Sequence, residues 1–504
     1  MTEMYSGTGP GGWPWVHGLR RRNLILLCMV LGALAALGQA PLGLWPATVL
    51  AFAAIYGIWS QGWPTRRSAL IGWAAGTGYF LISLSWIVEP FLVDVARYGW
   101  MAPFAVFFLS GGLALFWGLS FGVAARIAPN AAGWITAFVL TEALRGVVFT
   151  GFPWAQPGHV LIGTPMMQWA GFAGALVLTL AVLAGAVALW HLLRGQRIMG
   201  GLSLAVLAGA YVAGGSLNPV EDVPEDAKIV RLVQPNAPQD EKWDPEKIGM
   251  FYRRQLDFTG AGAVPDLVVW PESSFPLWLN DAEEALRRVA NRARGAYVAL
   301  GIQRYEGERN FNSLALIGPG GDVSALYDKQ HLVPFGEYLP FGSVLKRFGL
   351  RGLAAEDGAG FSAGPGPKLI DVPGMGRALP LICYEGVFPG DVAAAPERPD
   401  FMLLITNDAW FGEVSGPYQH LAQARLRSVE QGVPMIRVAN TGISAMIDAR
   451  GDITGSLPLG EAGWLDLPMP PKRAETLYSK TADWPILAVM LLGLGFGSFR
   501  RRSL

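Results

Sequence analysis

The sequence predicts two unlike parts in one chain: a multi-span α-helical membrane domain and a water-soluble, layered α/β sandwich. Three observations carry that expectation. Charged residues are sparse from Leu24 to Leu217 and frequent from Glu221 to Lys480. The sparse stretch holds seven apolar segments, each close to the roughly 20 residues that a bilayer-spanning helix needs. The charged stretch alternates short β-rich runs with amphipathic segments, punctuated by glycine and proline.

Taken in order, residues 1–22 are expected to be a cytoplasmic N-terminus and 23–220 a seven-helix transmembrane domain. The candidate spans are 23–40, 42–60, 68–88, 100–127, 131–150, 165–193 and 198–217. Arg20, Arg21 and Arg22 before the first span would suit a signal peptide, but the repetition of similar segments argues for a retained helix. Residues 221–483 form the soluble domain, 484–499 an eighth span and 500–504 a cytoplasmic tail. Lysine and arginine in short loops set orientation. Arg66 and Arg67, Arg126, Arg194 and Arg197, and Arg500–Arg502 all fall in the loops expected inside. An odd number of spans then puts the soluble domain on the outer face. Within the fifth span, Glu142 and Arg145 lie three apart. Charges inside a membrane pair or serve function, so either a mutual ion pair or a lipid-headgroup contact is expected.

In the soluble domain, strands are expected near 228–234, 266–270, 297–303, 313–317, 379–383, 401–406, 435–439 and 444–448, with helices at 245–258, 282–294 and 418–431. The last two strands should pair through a glycine turn.

Composition excludes some functions. Thirty-nine basic residues balance 39 acidic ones, which leaves no nucleic-acid footprint. Cys28 and Cys383 are the only cysteines, too few for a disulfide framework. His331 and His420 lack a ligand cluster around them, so ordinary polar roles are expected and no metal.

The chemistry points to acyl transfer through a thioester. Cys383 ends the run ALPLICYEG, Glu272 sits in VVWPESS, and Lys329 in YDKQHLVPFGE. A thiol attacks a carbonyl as thiolate and needs a base or cation nearby. Glu272 can take the proton and return it to a leaving group, and Lys329 can stabilise thiolate and oxyanion. Backbone N–H groups from Tyr384 onward can complete an oxyanion hole. Each residue also has a plain alternative: an inert buried cysteine, a strand-end acid, a solvated lysine.

These motifs resemble the nitrilase superfamily over residues 228–467, which implies a Glu–Lys–Cys triad on an α-β-β-α sandwich. Seven spans before that region and one after it make the chain similar to the apolipoprotein N-acyltransferases. TEALRG, GFPWAQPGH, VQPNAPQDEKWD, NDAWFG and RVANTGIS agree with that family's pattern. The resemblance implies that the sn-1 acyl chain of a phospholipid, chiefly phosphatidylethanolamine, passes through Cys383 to the N-terminal diacylglyceryl-cysteine of an apolipoprotein. It implies no cofactor and a bacterial inner (cytoplasmic) membrane with the catalytic domain periplasmic; a monomer is expected. It also implies supporting roles for Glu337, Tyr384 and Glu385, and substrate contact for Trp243 and Trp410. The segment from Gly336 to Leu353 mixes apolar with basic residues and is expected to dip into headgroups as a lid, with NDAWFG another wall of the entrance. Two other functions compete with this one: a membrane-anchored amidase with the same triad, and a transporter with an external binding domain.

Overall fold

The computed structural model describes residues 13–219, 222–340 and 360–502. It divides into two compact units: a helical one, and a sandwich comprising Glu89–Gly99 and Asn218–Ser479.

In the helical unit, a helix occupies each of the eight expected stretches. They are α1 (Arg21–Ala36), α2 (Trp45–Trp59), α3 (Thr65–Ser83), α4 (Ala102–Ile127), α5 (Ala131–Arg145), α6 (Ala170–Leu193), α7 (Arg197–Ser216) and, after the sandwich, Trp484–Arg502. Among the described residues, three stretches can cross a membrane by length and composition: Val95–Ile127, Pro165–Leu193 and Arg197–Ser216. A fourth qualifies if the bent pair Thr65–Ser83 and Ser85–Leu92 counts as one span. α1, α2 and α5 have 16, 15 and 15 residues, so each is about 24 Å long or less at 1.5 Å per residue. α5 stops at Arg145, short of the expected 150, and beyond it Phe149 takes φ +56°, which an α-helix cannot hold.

Small residues let these helices touch. A Cβ at Gly32 would come within 1.9 Å of the Ala75 carbonyl oxygen, and one at Gly78 within 1.9 Å of the Met29 carbonyl oxygen. α1 and α3 therefore meet backbone to backbone, as membrane helices do where lipid offers no hydrophobic drive. Glu142 and Arg145 take the ion-pair alternative, at 2.6 Å with both side chains fully buried. Trp117 Nε1 donates to Glu142 Oε1 at 2.9 Å, and Arg145 Nη1 donates to the Trp154 carbonyl at 2.9 Å.

The sandwich has two six-stranded sheets. The first sheet holds β1 (Ile229–Gln234), β2 (Leu267–Val269), β3 (Tyr297–Glu306), β4 (Arg309–Ile317) and β5 (Val323–Asp328). The second holds β6 (Ile370–Val372), β7 (Gly376–Ile382), β8 (Phe401–Thr406), β9 (Met435–Ala439), β10 (Ser444–Ile447) and β11 (Ile453–Leu457). The last strand, β12 (Gly463–Pro468), returns to pair antiparallel with β1. β9 and β10 pair antiparallel as expected. Parallel pairs at the centre of each sheet (β1–β2–β3 and β7–β8–β9) need cover on both faces, and their residues alternate accordingly. Leu267, Val269, Leu403 and Ile405 meet in the core between the sheets. Val268 and Trp270 turn outward onto Leu286 and Val289 of the helix Glu283–Ala293. Met402 and Leu404 turn outward onto Leu421 and Ala424 of the helix Gly416–Gln431. The layers are thus α-β-β-α. Four strands were not expected, namely β5, β6, β11 and β12, and these are the four sheet edges.

Candidate active site

Glu272 follows β2 in the turn Pro271–Ser273. That turn lies on Gly301 of β3, where a Cβ would stand 2.5 Å from the Pro271 carbonyl oxygen and 2.6 Å from Glu272 Cα. Only glycine lets the acid approach this closely. Glu272 is buried, and both of its oxygens are used. Oε1 accepts from Asn312 Nδ2 at 2.7 Å and from Lys329 Nζ at 3.4 Å. Oε2 accepts from the Asn407 backbone N–H at 2.9 Å.

Lys329 follows β5 and is 1% exposed. Its Nζ donates to Glu337 Oε1 at 2.9 Å as well as to Glu272. Burial works against its charge, but Glu337 and then Glu272 outweigh that and raise its pKa, so it stays an ammonium. Glu337 is anchored in turn by the Val333 N–H at 2.9 Å and by Asn312 Nδ2 at 3.3 Å.

Cys383 follows β7 on the other sheet, at φ +52°, a left-handed conformation that costs any residue with a Cβ. Burial pushes its thiol up, Glu272 pushes it further, and Lys329 opposes both. Burial and the neighbouring acid thus favour the neutral thiol over the thiolate.

Glu385 ties the two sheets together. Its Oε1 accepts from Tyr327 Oη at 2.8 Å, the Gln330 N–H at 2.7 Å and the His331 N–H at 3.2 Å. Its Oε2 accepts from the Ile382 N–H at 2.7 Å. The residues beside Lys329 and beside Cys383 thus share one carboxylate. Burial pushes its pKa up to about 7 in spite of those donors. Tyr384 is buried, with its ring edge-on to His331 at 5.5 Å and Phe388 at 4.7 Å. His331 also meets Asp391 at 2.7 Å, and His420 lies behind Cys383. Among the described residues no group of three or more His, Cys, Asp or Glu could hold a metal ion.

Trp243 is 42% exposed beside Lys242, whose Nζ sits 5.2 Å above its ring. Trp410 lies half-buried in the turn Asp408–Phe411. Of the expected lid, Gly336–Leu353, the part from Phe341 onward lies outside the described residues.

Sequence reasoning missed three contributors. Asn312 bridges both acids, yet an asparagine within a strand gives no signal of that. Lys242 reads as a surface lysine, but it is 5% exposed and donates to the Glu272 carbonyl at 3.3 Å. Burial lowers its pKa to about 8, with Glu272 opposing. Asn407 lies in NDAWFG, which the motif did mark, and its role comes from the backbone.

The sandwich with this buried grouping is that of a carbon–nitrogen hydrolase, and that family's profile (Carbon-nitrogen hydrolase) matches residues 257–476. The profile of the Apolipoprotein N-acyltransferase N-terminal domain matches residues 31–188. An apolipoprotein N-acyltransferase of Rhodopseudomonas palustris is 34% identical, covering 97% of this chain and 96% of its own. Those of Sinorhizobium medicae and Caulobacter vibrioides are 36% and 38% identical, over 93% and 92% of this chain and 94% and 92% of theirs. The chain belongs to the apolipoprotein N-acyltransferases, and it is an acyltransferase. Because the likeness spans the helical unit as well as the sandwich, the amidase and transporter alternatives are not favoured.

Proposed function

We propose that Cys383 carries the acyl group, Glu272 moves the protons and Lys329 supports the charge. In the first half-reaction the Cys383 thiol gives its proton to Glu272 as sulfur attacks the sn-1 ester carbonyl of a phospholipid, chiefly phosphatidylethanolamine. The tetrahedral oxyanion is met by Lys329 and by the Tyr384 N–H. The ester C–O bond breaks, Glu272 returns the proton to the glycerol oxygen, and lysophospholipid leaves. In the second half-reaction the amine of a diacylglyceryl-cysteine attacks the thioester. Its proton passes to Glu272, the C–S bond breaks, and the thiol is restored. Glu337 holds Lys329, Glu385 holds the lysine loop to the cysteine turn, and Trp243 and Trp410 contact the substrates. The reading rests most on the cluster in which one buried lysine serves two acids beside a buried, left-handed cysteine. A monomer is part of the same proposal.

The topology belongs to the same proposal: eight spans in a bacterial inner membrane, both termini cytoplasmic and residues 221–483 periplasmic. The loop arginines support it. Two experiments test the whole. Intact-mass measurement after incubation with phosphatidylethanolamine vesicles should show one acyl adduct, on Cys383, and an active preparation without it overturns the mechanism. Glu308 is exposed in the β3–β4 turn, so Glu308→Cys in intact spheroplasts should react with an impermeant thiol reagent. Labelling only after lysis overturns the topology.

A further inference from the structure

Behind Cys383 lies a second charged cluster that the half-reactions above do not use. His420, on the helix Gly416–Gln431, is fully buried. Its Nε2 stands 3.2 Å from the Cys383 carbonyl oxygen. A carbonyl can only accept, so Nε2 carries a proton and donates it to that bond. At the other side of the ring, Asp408 Oδ1 lies 2.9 Å from Nδ1. Arg437 Nη2 donates to Asp408 Oδ2 at 2.6 Å, and Thr406 Oγ1 donates to Asp408 Oδ1 at 2.9 Å. Burial works against the charge on Asp408, yet Arg437 and then His420 hold its carboxyl below the usual range. Phe411 packs edge-on to the imidazole at 5.5 Å, and at Gly442 a Cβ would come within 2.4 Å of Asp408 Oδ2. The ring is clamped from three elements: a loop, a helix and a strand.

Fully buried ion pairs are a poor way to stabilise a fold, since packed apolar residues do as well or better. What this cluster does provide is a fixed donor aimed at one backbone atom. The Cys383 carbonyl and the Tyr384 N–H belong to a single planar trans peptide, and they point in opposite directions. At φ +52° Cys383 sits in the sparsely populated left-handed region, at a cost, so contacts from outside help to hold that plane. We infer that His420 is a positioning residue for acyl transfer: by holding the Cys383 carbonyl, it aims the Tyr384 N–H at the oxyanion formed when the thiol attacks. Donation to the carbonyl also polarises the peptide and strengthens the N–H at its far end. The inference rests on Cys383 being the nucleophile.

Two reactions of the same thiol separate this role from a structural one. Iodoacetamide alkylates sulfur by displacing iodide from a saturated carbon, and no oxyanion forms. A p-nitrophenyl ester acylates it through a tetrahedral oxyanion. In full-length protein, His420→Ala should slow acylation about 10- to 100-fold, somewhat less than the loss of a whole oxyanion donor. Alkylation should keep its wild-type rate. His420→Gln retains an N–H donor and should recover part of the acylation rate. Equal slowing of both reactions would make His420 a support of the thiol or the fold, and an unchanged acylation rate would leave it no role. Either result overturns the inference. If His420→Ala does not fold, the same two rates in His420→Gln decide it, with selective slowing of acylation supporting it and equal or no slowing overturning it. Wild-type protein that acquires no acyl group on Cys383 overturns the proposed function along with this inference.

Discussion

In the helical unit, Arg145 and Glu142 form a one-to-one pair at 2.6 Å, fully buried, with Trp117 on one acid oxygen. In the sandwich, Lys329 is shared between Glu337 at 2.9 Å and Glu272 at 3.4 Å, and Lys242 reaches only the Glu272 carbonyl. Burial penalises charge in both places. The first arrangement closes its balance and leaves nothing over. The second gives one ammonium two carboxylates, and Glu272 is held in place by Asn312 and the Asn407 N–H. A balanced buried pair is a structural device, whereas an unbalanced one suits the proton-transfer role proposed for Glu272.

The largest effect should come from removing the excess. Glu272→Gln leaves Lys329 paired with Glu337 one to one. We expect acyl-enzyme formation to fall by about 10³-fold or more, within the range for lost general acid–base catalysis. The melting temperature should hardly move. Near-normal acylation would erase the distinction between the two clusters. Next, Arg145→Ala strands Glu142 in the helical unit and should cost about 3–5 kcal/mol of stability. The double variant Glu142→Leu with Arg145→Met should recover most of it, with transfer activity intact. A stable but inactive double variant would return the pair to the headgroup-contact alternative. A smaller loss should follow Gly78→Ala, whose methyl meets the Met29 carbonyl. Overpacking of this kind costs about 1–3 kcal/mol, read as a lower melting temperature without loss of acylation by a soluble ester. The smallest effect concerns pH. Burial raises Glu385 to about 7 from an ordinary 4.5, so the acid is neutral below that pH and ionised above it. Its four donors are best met by the ionised form, so acylation by a soluble ester should rise as pH increases through about 7. Glu385→Gln should remove that inflection, and a profile unchanged by the substitution would detach Glu385 from the active geometry.

The sandwich was legible at its centre and illegible at its rim. FMLLIT of β8 is buried throughout and reads as a strand because both faces are covered. Val323–Asp328 and Ile453–Leu457 expose alternate or successive residues, and Ile370–Val372 has three residues, too few to make a pattern. Gly463–Pro468 is half-exposed along its length. An edge strand has one neighbour and a mixed surface, so hydrophobic periodicity fades there first. The site divides the same way. Glu272, Lys329 and Cys383 sit at strand ends inside distinctive motifs, but nothing in the sequence shows that they converge. Asn312, Lys242 and the Asp408–His420–Arg437 cluster gain their meaning only from neighbours far away in the chain.

The return of β12 to β1 has a consequence for how the chain is made. β1 is almost wholly buried, and its partners run from Ile229 opposite Pro468 to Gln234 opposite Gly463. During synthesis the first five strands emerge long before residue 463, so one flank of β1 stays unpaired while more than a hundred further residues follow β5. An apolar strand with a bare edge invites pairing with other chains. The growing polypeptide therefore needs either shielding or speed over that interval. A ribosome that stalls between β5 and β12 should leave a product prone to aggregation, whatever the state of the residues that do the chemistry.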